Sequence, residues 1–345
     1  MERRTLPDAY LPGHGSMVDM LLRRFALTWD FQSEYWHYYV HDLPTHLRVA
    51  LVTYLSIWSP SGVSKADLQI ILQAQKDEDA PKDEAAVVDE YDNVGFEHLD
   101  LTGCLGRSIR LPELSSLLFP SKRNQEEDLQ ETWDEPADGR PIYRPLLPKL
   151  THLSLSIDPG QTSAASWRHL LSFAAHLPTL THLSLAYWPE PTLTPNAKFA
   201  TVVSAEGRSV QYGGTGPYSH TLDGDWAEAI VLLRRLSKAL YGLEYLDLTG
   251  CAEWCQALFL KADHTAVDWV GTWGKIETLV LQPGRPLPPE EDVRGRKAYR
   301  METQNAERVE KYIRTQRAGR GHFITVEKAP VPEISIDDLF RELGI

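Results

Sequence analysis

The sequence predicts an α/β repeat protein, and three observations carry that prediction. A core of Leu-Asp-Leu-Thr-Gly-Cys occurs twice, at Leu99–Cys104 and at Leu246–Cys251, with looser copies at Leu147–Ile157, Leu177–Tyr187 and Trp273–Gln282. Within a copy the apolar residues step unevenly, as in Leu240, Leu243, Leu246 and Leu248, a rhythm that fits one coil turning into one short strand and neither a regular helix nor an isolated strand. Between copies lie helical stripes: Trp167, Leu170, Leu171, Ala174 and Leu177 in one, Ile230, Leu233, Leu236 and Leu240 in another. Self-similarity of this kind is the signature of stacked units that bury a continuous core together.

The copies resemble the leucine-rich repeat, L-x-x-L-x-L-x-x-N/C. That resemblance implies a leucine-rich-repeat solenoid, with parallel strands on a concave face and helices on the convex side. The steps from Leu153 to Leu183 and from Leu246 to Leu279 are 30 and 33 residues, each a single coil. The steps from Leu99 to Leu153 and from Leu183 to Leu246 are 54 and 63 residues. We expect these longer steps to hold insertions, at 121–141 and 189–223, because 189–223 contains no L-x-x-L-x-L. In the second insertion Thr201-Val-Val and Ser209-Val-Gln-Tyr flank Glu206-Gly207, which predicts a small hairpin.

The remaining elements follow in order. Residues 1–75 read as a helical N-terminal cap for the open end of the first coil, beginning with a loosely held arm to Ser16. Met17–Thr28 is an amphipathic helix with Met17, Met20, Leu21 and Leu27 on its apolar side. The aromatics that follow, Trp29, Phe31, Tyr35, Trp36, Tyr38 and Tyr39, are expected to pack the cap's core. Asp42–Ser56 is a second helix with Pro44 near its start and Leu47, Leu51, Tyr54 and Leu55 on one face, and Ser64 caps a third, Ser64–Gln73. Residues 76–93 form an acidic linker, 94–283 the solenoid, with Leu111–Phe119 as a return segment. Residues 284–345 form a C-terminal extension or cap with a charged helix at Glu290–Arg317 (stripe Val309, Tyr312, Ile313), a strand at His322–Glu327 and a terminal helix at Ile334–Leu343. Residues 42–57 also resemble the opening of an F-box, which would imply an adaptor docking on a cullin ubiquitin ligase while the repeats hold the substrate.

Composition bounds the function. A net charge of −13 argues against nonspecific binding to nucleic acid or anionic membranes. No apolar run approaches the roughly 18 residues of a membrane span, and no signal segment opens the chain, so an intracellular location, cytoplasmic or nuclear, is expected. Of the three cysteines, Cys104 and Cys251 fall at the repeat's own Cys position, where a thiol packs under the turn. G-x-S-x-G, Walker, H-E-x-x-H and Cys-x-x-Cys patterns are absent, and no cofactor is expected. His14 and Asp19 have the His-x4-Asp spacing that glycerolipid acyltransferases use to activate a hydroxyl, the sole enzymatic alternative to a noncatalytic reading. The residues flanking the strand leucines form polar rows: His98, His152, His182, Tyr245 and Thr278, then Asp100, Ser154, Ser184, Asp247 and Val280. Neighbouring coils would bring His152 and His182 about 5 Å apart, close enough for a metal, though spacing supplies no third ligand. The expected function is a protein–protein interaction scaffold. Its contact residues are His98, Asp100, His152, Ser154, His182, Ser184, Tyr245 and Asp247, aided by the rim insertions.

Overall fold

The computed structural model describes residues 5–72, 93–120, 145–159, 165–193, 201–203, 209–211, 226–261 and 265–331. The chain divides into two compact units, Met1–Ala164 and Ala165–Ile345. The acidic linker, the 121–141 insertion and the terminal helix at 334–343 lie outside the described residues.

The first unit holds α1 (Met17–Trp36), α2 (Thr45–Trp58), α3 (Lys65–Leu72), β1 (His98–Asp100), α4 (Leu111–Leu118) and β2 (His152–Ser154). Helix α2 is its centre: every residue from Arg48 to Ser56 is buried, on all sides of the helix. Such a helix cannot keep a polar face, so its hydroxyls bond internally; Ser56 donates to the Asp100 carbonyl at 2.7 Å and ties α2 to β1. Helix α3 begins on a reciprocal cap, Ser64 Oγ accepting from Asp67 N–H and Asp67 Oδ2 from Ser64 N–H.

Helix α1 reverses the expected orientation. Its buried side is Asp19, Leu22, Ala26 and Trp29, whereas Met17, Met20, Leu21 and Leu27 are exposed. The helix is also longer than the Met17–Thr28 span and carries the aromatics with it: Trp29 is buried, but Phe31, Tyr35, Tyr38 and Tyr39 are exposed. Both sides of α1 are apolar, so periodicity alone cannot choose between them. The chosen side adds two hydrogen bonds, Tyr54 Oη to Asp19 at 2.6 Å and Trp29 Nε1 to Asp67 at 2.7 Å. The arm before it is anchored, not loose: Leu6 is buried and Tyr10 meets the His46 ring edge-on.

The second unit holds α5 (Trp167–Ala174), β3 (His182–Ser184), β4 (Thr201–Val203), β5 (Ser209–Gln211), α6 (Ala227–Ala239), β6 (Tyr245–Asp247), β7 (Thr278–Val280), α7 (Val293–Arg317) and β8 (Thr325–Glu327). Strands β3, β6, β7 and β8 pair in that order, all parallel, with Leu183, Leu246, Leu279 and Val326 in register. In the first unit β1 pairs parallel with β2, Leu99 opposite Leu153. The protein is therefore α/β with parallel strands connected through helices, as parallel pairing demands. Across the long steps β1 pairs directly with β2 and β3 with β6, and the second step contains the antiparallel pair β4–β5. The C-terminal extension does not simply cap: α7 is a crossover that returns the chain to add β8 beside β7. Tryptophans fill this unit, with Trp167 edge-on to both Trp188 and Trp254.

Candidate interaction surface

The twin Leu-Asp-Leu-Thr-Gly-Cys cores share the same turn, and their geometry gives each residue a role. The leucines are buried. Asp100 Oδ1 accepts from the Thr102 N–H at 3.0 Å and hydroxyl at 2.5 Å; Asp247 does the same with Thr249 at 2.9 and 2.6 Å. The aspartate thus closes a tight turn at the strand end. Gly103 and Gly250 then take φ of 71° and 75°, where a side chain is strained. The cysteines fold under the turn: Cys104 Sγ accepts from Val63 N–H and the Cys251 thiol donates to the Leu185 carbonyl. In the looser copy, Tyr187 stands at the glycine position with φ of 61°, and Trp188 is buried at the cysteine position. The Tyr187 hydroxyl donates to the Gly284 carbonyl at 2.7 Å, which helps to hold the strained conformation.

The polar rows expected to meet a partner are largely internal. Asp100, Ser154, Ser184, Tyr245, Asp247 and His152 are buried, while His98 and His182 are half-buried. Their bonding accounts for this: Thr102 Oγ1 shares a hydrogen bond with Ser154 at 2.8 Å, Ser154 with Ser156 at 3.0 Å, and Ser184 donates to Asp247 Oδ2 at 2.8 Å. Within each unit, hydrogen bonds link hydroxyls and a carboxylate of this row between neighbouring strands. The aromatic row stacks likewise, His98 on His152 at 3.9 Å in the first unit and His182 on Tyr245 at 5.6 Å in the second. Thr151 and Thr181 each share a hydrogen bond of 2.8 Å with the Nδ1 of the following histidine. Burial lowers the His98 pKa, against the raising influence of Glu97 and Asp8.

Chemically reactive groups are likewise committed. Both Asp19 oxygens are engaged, by Tyr54 and Arg23 on one and the Gly15 N–H on the other, and His14 is exposed without a hydrogen bond to that carboxylate. The Tyr54 hydroxyl, then the Gly15 N–H and Arg23, pull Asp19 down to about 2 against the raising effect of burial. A His–Asp pair activates a hydroxyl through a hydrogen bond between the two side chains, and among the described residues Asp19 is instead held by Tyr54, Arg23 and Gly15. Burial pushes the Cys255 thiol up to about 12 and that of Cys251 well up, leaving little thiolate. A cavity beside these thiols holds about 10 Å³, enough for one water.

The sequence reading missed Arg317. At the end of α7 it is buried, and its guanidinium donates to the carbonyls of Trp269, Trp273, Ile276 and His322 at 2.7–2.9 Å. It bolts the crossover helix to the coil that precedes β7.

Helix α1 supplies the open surface. Met17, Met20, Leu21, Leu27, Phe31 and Tyr35 recur at helical spacing opposite Leu22, Ala26 and Trp29, and Tyr38 extends the line past the helix end. Phe31 is 86% exposed and Tyr35 74%. Residues 42–57, by contrast, fall mostly on the enclosed helix α2, whose apolar side chains are already used within the unit. Among the described residues no helix is long and apolar enough to cross a membrane. Comparison with protein-family models, with curated proteins and with solved structures finds no match for the chain.

Proposed function

We propose that the chain is a noncatalytic protein-interaction scaffold of the leucine-rich-repeat type, and that the outer side of α1 is its contact face. The observation that carries this reading is the apolar stripe from Met17 to Tyr35, exposed along the length of the helix. Contiguous exposed apolar surface of this kind marks sites where another molecule binds, because leaving it in water is costly. The repeat strands support the reading differently. Many of their polar side chains are engaged in internal hydrogen bonds, so they offer a partner less than the α1 stripe does. The free thiols fit a reducing compartment.

The test is quantitative affinity purification of the tagged protein beside Phe31→Asp/Tyr35→Asp. Both positions are exposed, so the variant should keep its melting temperature and lose the associated protein. An unchanged set of associated proteins would remove α1 as the contact face.

A further inference from the structure

We infer that the occupant of the α1 face is a second copy of this chain, docked antiparallel as a helix pair; this rests on the reading of α1 as the contact face. The stripe has seven-residue spacing, Met17–Arg24–Phe31 in one row and Met20–Leu27–Glu34 in another, with Leu21, Thr28 and Tyr35 alongside. Residues seven apart lie along one side of a helix, so these rows make one stripe in which Arg24, Thr28 and Glu34 interrupt the apolar residues. Its residues are graded along the axis. Slim Met and Leu side chains occupy the first half, and Phe31 and Tyr35 the second.

Parallel pairing would crowd aromatics at one end and leave a gap at the other. Antiparallel pairing about a two-fold axis between Leu27 and Thr28 sets Met20 opposite Tyr35 and Arg24 opposite Phe31 of the second copy. These two layers place sulfur on one aromatic and guanidinium on the other, both favourable contacts.

Charge points the same way. Arg24 and Glu34 are exposed, and among the described residues neither forms an ion pair, whereas Arg23 is bound to Asp19 and Asp30 accepts from Ser61. In a parallel pair each would meet its own kind. In the antiparallel pair Arg24 comes within one turn of Glu34 of the second copy, twice, as two-fold symmetry requires. The extent of the face also suits a dimer. The helix has 20 residues, or about 30 Å of length. Aromatics bury about 150–250 Å² each, so Phe31 and Tyr35 with their neighbours approach the roughly 800 Å² per partner of a standard interface.

The experiment is sedimentation equilibrium of the full chain across the micromolar range. Wild type should weigh twice the 39.1 kDa chain, and Phe31→Asp should be monomeric at unchanged melting temperature. Arg24→Glu and Glu34→Arg should each weaken the dimer at least tenfold, and the double exchange Arg24→Glu/Glu34→Arg should restore it. A monomeric wild type, or a dimer indifferent to Phe31→Asp, overturns the inference. A monomer that still loses a different associated protein through Phe31→Asp/Tyr35→Asp leaves the α1 reading standing with another occupant. If that variant changes neither mass nor associated proteins, the contact face itself is wrong.

Discussion

Asp19 is only 2% exposed, yet its carboxyl is held near 2 by Tyr54, Gly15 and Arg23. The unfolded chain returns it to the ordinary value of 3.8. Its stabilising contribution is therefore fully present above about pH 4 and lost as pH falls toward about 2. Melting temperatures of wild type should drop more steeply over that window than those of Asp19→Asn, which cannot titrate. Parallel curves would remove Asp19 as the source. Arg317 is the counterpart at the other end of the chain. Arg317→Met leaves four carbonyls short of a donor and should cost about 2–4 kcal/mol in urea denaturation, and Lys should recover little because it lacks the planar fork. The three cysteines are buried, so a thiol reagent should label none of them rapidly until denaturant is added; fast labelling of Cys251 or Cys255 would contradict their raised pKa. At this scale the sequence was least legible. The spacing His14-x4-Asp19 sees only near neighbours, whereas Tyr54 lies 35 residues from Asp19 and the carbonyls around Arg317 lie up to 48 residues back. A single arginine in a basic helix carries no mark of being buried.

The repeat cores were the most legible elements, because their chemistry is local. Leu makes the strand buried, Asp and Thr close the turn within two residues, Gly supplies positive φ, and the small thiol fits beneath. Leu183→Ala and Leu246→Ala, both in the paired ladder and nearly inaccessible, should each destabilise by about 2–5 kcal/mol. Unchanged melting would break the register. Tyr187→Phe removes the hydroxyl bond to Gly284 that helps to hold a strained backbone, and should cost about 1 kcal/mol. The helices were read in place but not always in facing. Helix α6 buries the stripe its periodicity marks, whereas α5 buries Trp167, Leu170 and Ala174 but covers Phe173 in place of Leu171, which is half-buried. Helix α1 has two apolar sides, and only its hydrogen bonds to α2 and α3 select one. The burial of the polar rows was illegible for the opposite reason: alternation along a strand says which side chains leave the leucine core, not whether another part of the protein takes them up. Ser, Thr and Asp at adjoining strand positions could equally face water or one another, and here they bond to one another.

Across the whole molecule, the chain behaves as two units, and the deductions about function belong to the first. If α1 pairs with a second copy, the oligomer is set by this helix. Residues 42–57 fall mostly on α2, which packs in the same unit. Their deletion should unfold the first unit and so lose circular-dichroism signal and partner together, whereas a docking segment could be removed without melting the rest. What the sequence determined by itself was the repeat: strand positions, leucine register, the antiparallel strand pair between two of the copies, and the burial of the cysteines. Each of these rests on residues within a few positions of one another or on a spacing repeated along the chain, so local sterics and periodic burial suffice. The tertiary structure alone decided which side of α1 is covered, that the polar rows turn inward, that α7 returns the chain to add β8, and that Asp19 and Arg317 are fixed by distant partners. Those outcomes depend on which groups meet after the chain has closed on itself, and hydrogen-bond satisfaction between remote residues leaves no periodic trace in the order of amino acids.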